Sequence, residues 1–208
     1  MCAVRWVLPT TDTPGPAGAA EPRPTPNPLA RDPSPWVVRF AAHLTAGARV
    51  LDVACGNGRH ARHLATLGCV VTAVDIDPAC GESLRHERVT FMQRDLEAAT
   101  WPFAAESFDA VVVVHYLHRP LLPRMIESLA AGGLLIYETF AAGNERFGRP
   151  RNPDFLLRPR ELLEACAGLR VLAFEDGIVA GAPPAAIQRV AARRLEPDAL
   201  DPVEALVL

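Results

Sequence analysis

Apolar positions along the chain follow two periods. Short runs rich in Val, Leu and Ile read as strands, and the stretches between them carry apolar residues at helical spacing. The predicted strands are Arg49–Val53, Cys69–Val74, Arg88–Met92, Asp109–Val114 and Leu134–Thr139. The fourth is a run of valines, the pattern of a strand buried on both faces of a parallel sheet. A first helix is expected from Ser34, which can cap it, with Pro35 at its first position. Trp36, Val37, Phe40 and Leu44 follow at helical spacing and Gly47 ends it. A second helix follows the glycine-rich turn after the first strand, runs to about Leu67 and closes at Gly68. Asp77 to about His86 reads as a weaker helix, because Gly81 lies inside it. Pro120–Ala130 and Arg160–Cys166 are two more. Arg170–Glu175 and Ala186–Ala192 read as a last pair of strands joined by the turn-rich segment Gly177–Pro184. Such alternation predicts an α/β fold. We expect a doubly wound, Rossmann-like, mostly parallel sheet of about seven strands, with an antiparallel strand near the C-terminus.

Composition narrows what such a fold can do. The 208 residues suit one domain. Nine of the 20 prolines fall within residues 1–35, so residues 1–33 are expected to be a proline-rich, disordered arm. Residues 34–194 would form the domain and 195–208 a C-terminal tail. No apolar run approaches the roughly 20 residues of a membrane-spanning helix. The stretch Val4–Leu8, broken by Pro9, is too short for the core of a signal peptide. The five cysteines form no CxxC pair, which points to reduced thiols in a cytoplasmic protein rather than a disulfide framework or a zinc site. A net charge of −3 argues against a nucleic-acid partner. All 21 basic residues are arginine, and the lack of lysine excludes Schiff-base chemistry and a Walker-type phosphate loop.

The most informative stretch is Val50-Leu51-Asp52-Val53-Ala54-Cys55-Gly56-Asn57-Gly58-Arg59-His60. A buried strand runs into glycines and then a helix, which lets a ligand approach the backbone at the carboxyl edge of the sheet. Asp75 ends the next strand, where a carboxylate can accept from ribose hydroxyls. Asp95 follows the third strand, within reach of an adenine amino group. The segment Gly56–Ala61 also fits G-x-G-x-x-A, so a nicotinamide dinucleotide and an NAD(P)-dependent oxidoreductase form the alternative. Asp52 at the loop entrance counts against it, because a carboxylate suits a cationic ligand and repels a pyrophosphate.

The motifs VLDVACGNG, VDIDP, RDLE, FDAVVVVHYLH and AAGGLLIYETF stand in the order and spacing of one family. Residues 34–193 resemble the class I S-adenosylmethionine (SAM)-dependent methyltransferases. The late segment GNERFGRPRNPDFLLRPREL is similar to that of small bacterial methyltransferases grouped with tellurite-resistance enzymes. Ala54 stands where the family usually has the first glycine of its loop. The resemblance implies SAM as cofactor and S-adenosylhomocysteine (SAH) as product. It implies Asp52 near the methionine ammonium, Ala54, Cys55, Gly56 and Gly58 against the body of the cofactor, and Asp75 with Ile76 at the ribose. It also implies Asp95 and Leu96 around the adenine and His115 beneath the methionyl part.

The acceptor is expected to be a small molecule, since no large substrate domain is inserted and no basic excess is present. Its reacting atom, oxygen, nitrogen, sulfur or a metalloid, stays open, as does a non-catalytic SAM-binding role. His115, Tyr116 and His118 follow the valine strand and are the candidate catalytic group, with Glu138, Asn144 and Glu145 as weaker candidates for the acceptor wall. Bland readings stand beside several of these. His118 can cap the following helix, Asp95 can cap a turn, and His60 with His63 can be a packed pair rather than metal ligands. Ala141–Pro159 has too many glycines and prolines for a regular element. We expect it to be a lid, with Arg146, Arg149 or Arg151 able to meet an anionic acceptor.

Overall fold

A computed structural model describes residues 32–195 apart from Ser83, Arg85 and Ala182. The expected arm therefore lies almost wholly outside the described residues, as does all but the first residue of the tail. Seven strands form one sheet: β1 Arg49–Val53, β2 Val70–Asp75, β3 Val89–Gln93, β4 Phe108–Val114, β5 Leu129–Phe140, β6 Arg170–Val179 and β7 Ala185–Arg193. Their order is β3-β2-β1-β4-β5-β7-β6, and β7 runs antiparallel to both of its neighbours. The doubly wound sheet with an antiparallel strand near the C-terminus is thus the observed fold.

Strand alternation sends each residue to one of two cores. Val50, Val71, Ala110, Val112 and Ile136 face one side, where α1 (Pro35–Ala41) and α2 (Arg59–Thr66) bury Trp36, Phe40, Ala61 and Leu64. Leu51, Val53, Val111, Val113 and Tyr137 face the other, packed by Met125 of α4 (Leu122–Glu127) and Leu162 of α5 (Glu161–Ala165). The valine run is buried on both faces, as its composition requires. Ser34 caps α1, its Oγ accepting from the Trp36 amide at 3.1 Å.

Four boundaries differ from the sequence reading. The first helix ends at Ala41, short of Leu44 and Gly47. The helix expected over Asp77–His86 shrinks to α3, Ala79–Glu82. Gly81 is required there by packing, since a Cβ would sit 2.4 Å from the Phe91 ring. The helix expected over Pro120–Ala130 becomes a 3-10 turn, Arg119–Leu121, followed by α4. Leu129 already pairs with Phe108 in the sheet, because the chain turns at Gly132, with φ +74°, and reaches the Ala110 register at Leu134. The final hairpin extends to Val179 and Ala185, into the segment read as turn. The far end of β6 is exposed, so ladder hydrogen bonds rather than apolar burial define it.

Candidate functional site

The chain leaves β1 toward β2 and β3 on one side and returns to β4 on the other. This reversal opens a crevice at the carboxyl ends of β1 and β4. The loop after β1 fills it with backbone in the left-handed region: Ala54 at φ 52°, Gly56 at 53° and Gly58 at 72°. Left-handed backbone costs an alanine on the order of 1–2 kcal/mol, which explains why glycine is the ordinary choice at position 54. At Gly58 a Cβ would lie 2.0 Å from Leu84, whereas at Gly56 it would meet no atom. Gly58 is therefore a packing glycine, and Gly56 leaves room for a ligand.

Asp52 sits in the protein interior on β1. Its Oδ2 has no hydrogen-bond partner. Burial lifts its pKa to about 7, opposed by the Ala61 amide and the Arg59 cation. Asp75 reaches back to the loop, accepting from the Gly56 amide at 2.9 Å and from the Asp77 amide at 3.0 Å. Asp95 caps its own turn through Oδ1, accepting from Glu97 and Ala98 amides at 2.9 and 3.0 Å. The turn-capping reading of Asp95 holds, and the same residue also lines the crevice.

A cavity of about 730 Å³ occupies the crevice. Ala54, Asp75, Ile76, Asp95, Leu96 and Tyr116 line it, together with Arg94, Glu97 and His118. Asp52, Cys55, Gly56 and Gly58 lie outside this lining. Burial, with Asp52 and Asp75 nearby, pushes the Cys55 thiol up, so it is no nucleophile at neutral pH. His115 lines a second cavity of about 240 Å³, together with Leu117, Phe140, Pro150 and Phe155. Glu97 and Tyr116 belong to both cavities.

His115 stands at φ 58°, with its ring stacked on Phe140 at 4.7 Å and 20°. Desolvation by the surrounding protein, then the Arg59 cation, hold its pKa below the ordinary imidazole value, partly offset by Glu138. His118 does not cap the following turn with its side chain; its Nδ1 lies 3.5 Å from Glu97 Oε2. Burial and the neighbouring Glu97 raise the Tyr116 hydroxyl, and the Tyr116 carbonyl accepts from buried Tyr137 at 2.8 Å.

Other candidates turn out to hold the fold. Ser34 Oγ donates to Glu138 Oε1 at 2.9 Å, and Arg189 donates to Glu138 Oε2 at 3.2 Å. His60 Nε2 accepts from the Ser34 amide at 3.2 Å, and burial first, then Arg59, pull its pKa down to about 3. Among the described residues no cluster of His, Cys, Asp or Glu could hold a metal ion. Asn144 ties Ala186 to Pro150, and Glu145 accepts from the Gly143 amide. Arg146 lies over the Phe147 ring, and none of Arg146, Arg149 and Arg151 lines either cavity. Sequence reading passed over Arg59 and Glu97. Both sit inside the motifs already singled out, one residue after Gly58 and two after Asp95.

Residues 50–133 match a family model described as a methyltransferase domain. The ubiquinone biosynthesis O-methyltransferase of Xanthomonas axonopodis pv. citri is 38% identical to this chain over 104 residues, 45% of this chain and 44% of that protein. The malonyl-[acyl-carrier protein] O-methyltransferase of Enterobacter lignolyticus is 32% identical over 102 residues, 46% of this chain and 40% of that one. The chain thus spans less than half the length of these relatives. TehB from Haemophilus influenzae shares the fold, with a TM-score of 0.64 at 21% identity over 76% of this chain and 61% of that one. Both cavities lie at the carboxyl edge of the sheet. Among the described residues no helix is long and apolar enough to cross a membrane.

Proposed function

We propose that the chain is a SAM-dependent methyltransferase of a small-molecule acceptor, with SAH as the second product and residues 34–194 as its working unit. The observation that carries this reading is the buried Asp52 carboxylate with an unpartnered oxygen beside the glycine loop. An ammonium would satisfy that oxygen, while a pyrophosphate would be repelled by it. Asp75 stands where ribose hydroxyls can donate to it, and Asp95 and Leu96 border the far end of the larger cavity. These residues fit SAM, which when bound supplies a methyl group already activated on a sulfonium.

The protein's share is alignment and exclusion of water. An O–H or N–H acceptor must lose a proton. His115 is neutral at pH 7 and lines the smaller cavity, so it is the candidate proton acceptor. Tyr116 would orient the acceptor between the two cavities, and His118 acts through its neighbour Glu97. The charge balance supports a small acceptor rather than nucleic acid, and the reduced cysteines support a cytoplasmic setting.

Titration calorimetry with SAM, SAH and NAD⁺ tests the cofactor assignment. SAM and SAH are expected to bind, with Asp75→Ala weakening both by about 1.5–3 kcal/mol, the scale of hydrogen bonds to a charged group. Binding of NAD⁺ with no response to SAH would favour the oxidoreductase instead. SAH formation across an acceptor library separates an enzyme from a non-catalytic SAM binder.

A further inference from the structure

Phe155 is an exposed aromatic on a segment that is otherwise held. The chain from Ala141 to Pro159 returns along β5, where Ala141 and Leu157 form a bridge. The Leu157 amide donates to Phe140 at 3.0 Å and the Ala142 amide to Leu157 at 2.9 Å. Leu156 and Leu157 are buried, while the Phe155 side of the turn is 52% exposed. Arg119 grips the carbonyls on either side of Phe155. Its Nη1 donates to Asp154 O at 2.6 Å and its Nη2 to Leu156 O at 2.8 Å. The buried Glu161 holds that guanidinium in turn, accepting from Nε at 2.7 Å and from Nη2 at 3.0 Å. These are charge-assisted, forked bonds, so the aromatic is set on a rigid backbone rather than a free loop. A ligand wall of this kind has already met its ordering cost.

The cavity that Phe155 borders carries aromatic and apolar walls: Phe140 with His115 stacked on it, Pro150 and Leu117. Its volume of about 240 Å³ falls below the usual range for drug-sized ligands. Among the described residues Glu97 is its one carboxylate and no arginine lines it. Asp75 and Asp95 add negative charge from the adjoining cavity, where Arg94 is the one arginine of the described lining. An anionic acceptor would be desolvated here beside like charge, without a cation to pair with.

We infer that this smaller cavity is the acceptor subsite, and that it takes a flat acceptor of one or two fused rings, uncharged or cationic, against Phe155. The inference rests on the methyltransferase reading, because it makes the ring the methyl acceptor. Phe155 is the specificity wall, and Arg119 with Glu161 are its positioning residues. Aromatic walls favour ring faces and edges over flexible chains.

The test uses the full chain saturated with SAH and three probes of one shape: 2-naphthol, 2-naphthylmethylamine and 2-naphthoate. Calorimetry is expected to show the alcohol and the amine binding at least tenfold tighter than the carboxylate. Phe155→Ala is expected to weaken 2-naphthol at least tenfold with SAH affinity unchanged, and Phe155→Tyr to stay within threefold of the parent. Arg119→Met, which frees the flanking carbonyls, is expected to lose several-fold in 2-naphthol affinity while SAH still binds. Equal or tighter binding of 2-naphthoate overturns the inference. So does SAH-bound protein that ignores 2-naphthol, or Phe155→Ala that binds it as the parent does. Absence of SAH binding would instead strike the methyltransferase reading. The same three probes titrated without SAH then still decide whether the cavity prefers uncharged and cationic rings.

Discussion

Asp52 shows how one residue links stability, pH and ligand. Burial lifts its pKa to about 7, above the value of about 3.9 expected in the unfolded chain. The folded state therefore holds this proton more tightly than the unfolded state. Its contribution to stability is fully present below about pH 4 and is lost as the pH climbs through about 7. A ligand ammonium pairs with the ionised carboxylate only, so SAM is expected to bind about tenfold tighter at pH 7 than at pH 5.5. Asp52→Asn should bind SAM weakly at both pH values and lose the matching slope in its melting temperature. Equal affinity of the parent at the two pH values, measured by calorimetry, would take Asp52 out of the ligand's reach. Asp75 shows a different limit of sequence reading. Its place at the end of β2, on which the ribose proposal rests, was legible in the sequence, but its hold on the Gly56 and Asp77 amides was not. Asp75→Ala is accordingly expected to lower the melting point of the ligand-free protein as well as its affinity.

At the scale of elements, the irregular segment after β5 behaves as a strap. Its breakers were legible as a lack of helix or strand; of its apolar side chains Leu156 and Leu157 are buried, while Phe155 is exposed. The fixing agent comes from elsewhere. Arg119, in the 3-10 turn before α4, and Glu161, in α5, together clamp it. Desolvation alone would raise the Glu161 pKa, but hydrogen bonds from Arg119 and Arg158 outweigh it and the net shift is downward. A lowered carboxyl pKa gives stability that is present above the unfolded value and is lost as the pH falls through the folded one. Glu161→Gln is expected to destabilise the fold by about 2 kcal/mol at pH 7, at the low end for a buried pair because Arg119 is partly exposed. That deficit should begin to shrink as the pH falls below about 4.3, where the unfolded carboxyl protonates, and be smallest once the folded carboxyl, whose pKa is lower, protonates too. Thermal melts of both proteins across this range check it, and a deficit independent of pH would show that the loss is one of packing.

For the whole molecule, α1 closes the architecture. Trp36 packs beneath Arg189 at 4.7 Å and donates to Val190 O at 3.2 Å, while Ser34 joins His60 to Glu138. Nine prolines within residues 1–35 leave little apolar mass to pack, so a chain lacking residues 1–26 is expected to keep its melting point and SAM affinity. Removing residues through Ala41 should abolish cooperative unfolding, since Trp36, Val37 and Phe40 each bury surface worth about 1.5–3 kcal/mol. Melting and calorimetry of the two truncations check this, and a drop of several degrees in the shorter deletion would show that the arm packs on the domain.

Sequence alone determined the alternation of strands and helices, the capped start at Ser34 and the glycine loop with its three aspartates. Each of these is written in neighbouring residues, through periodicity, turn chemistry and backbone freedom. Tertiary structure alone decided which side chains meet. Ser34 finds Glu138 across 104 residues, and Arg119 finds the carbonyls around Phe155 across 35 and 37. Periodicity reports that a face is covered, never by what. The unpartnered oxygen of Asp52 and the paired cavities at the switch between β1 and β4 follow from strand order and the path of the strap, which no local pattern encodes.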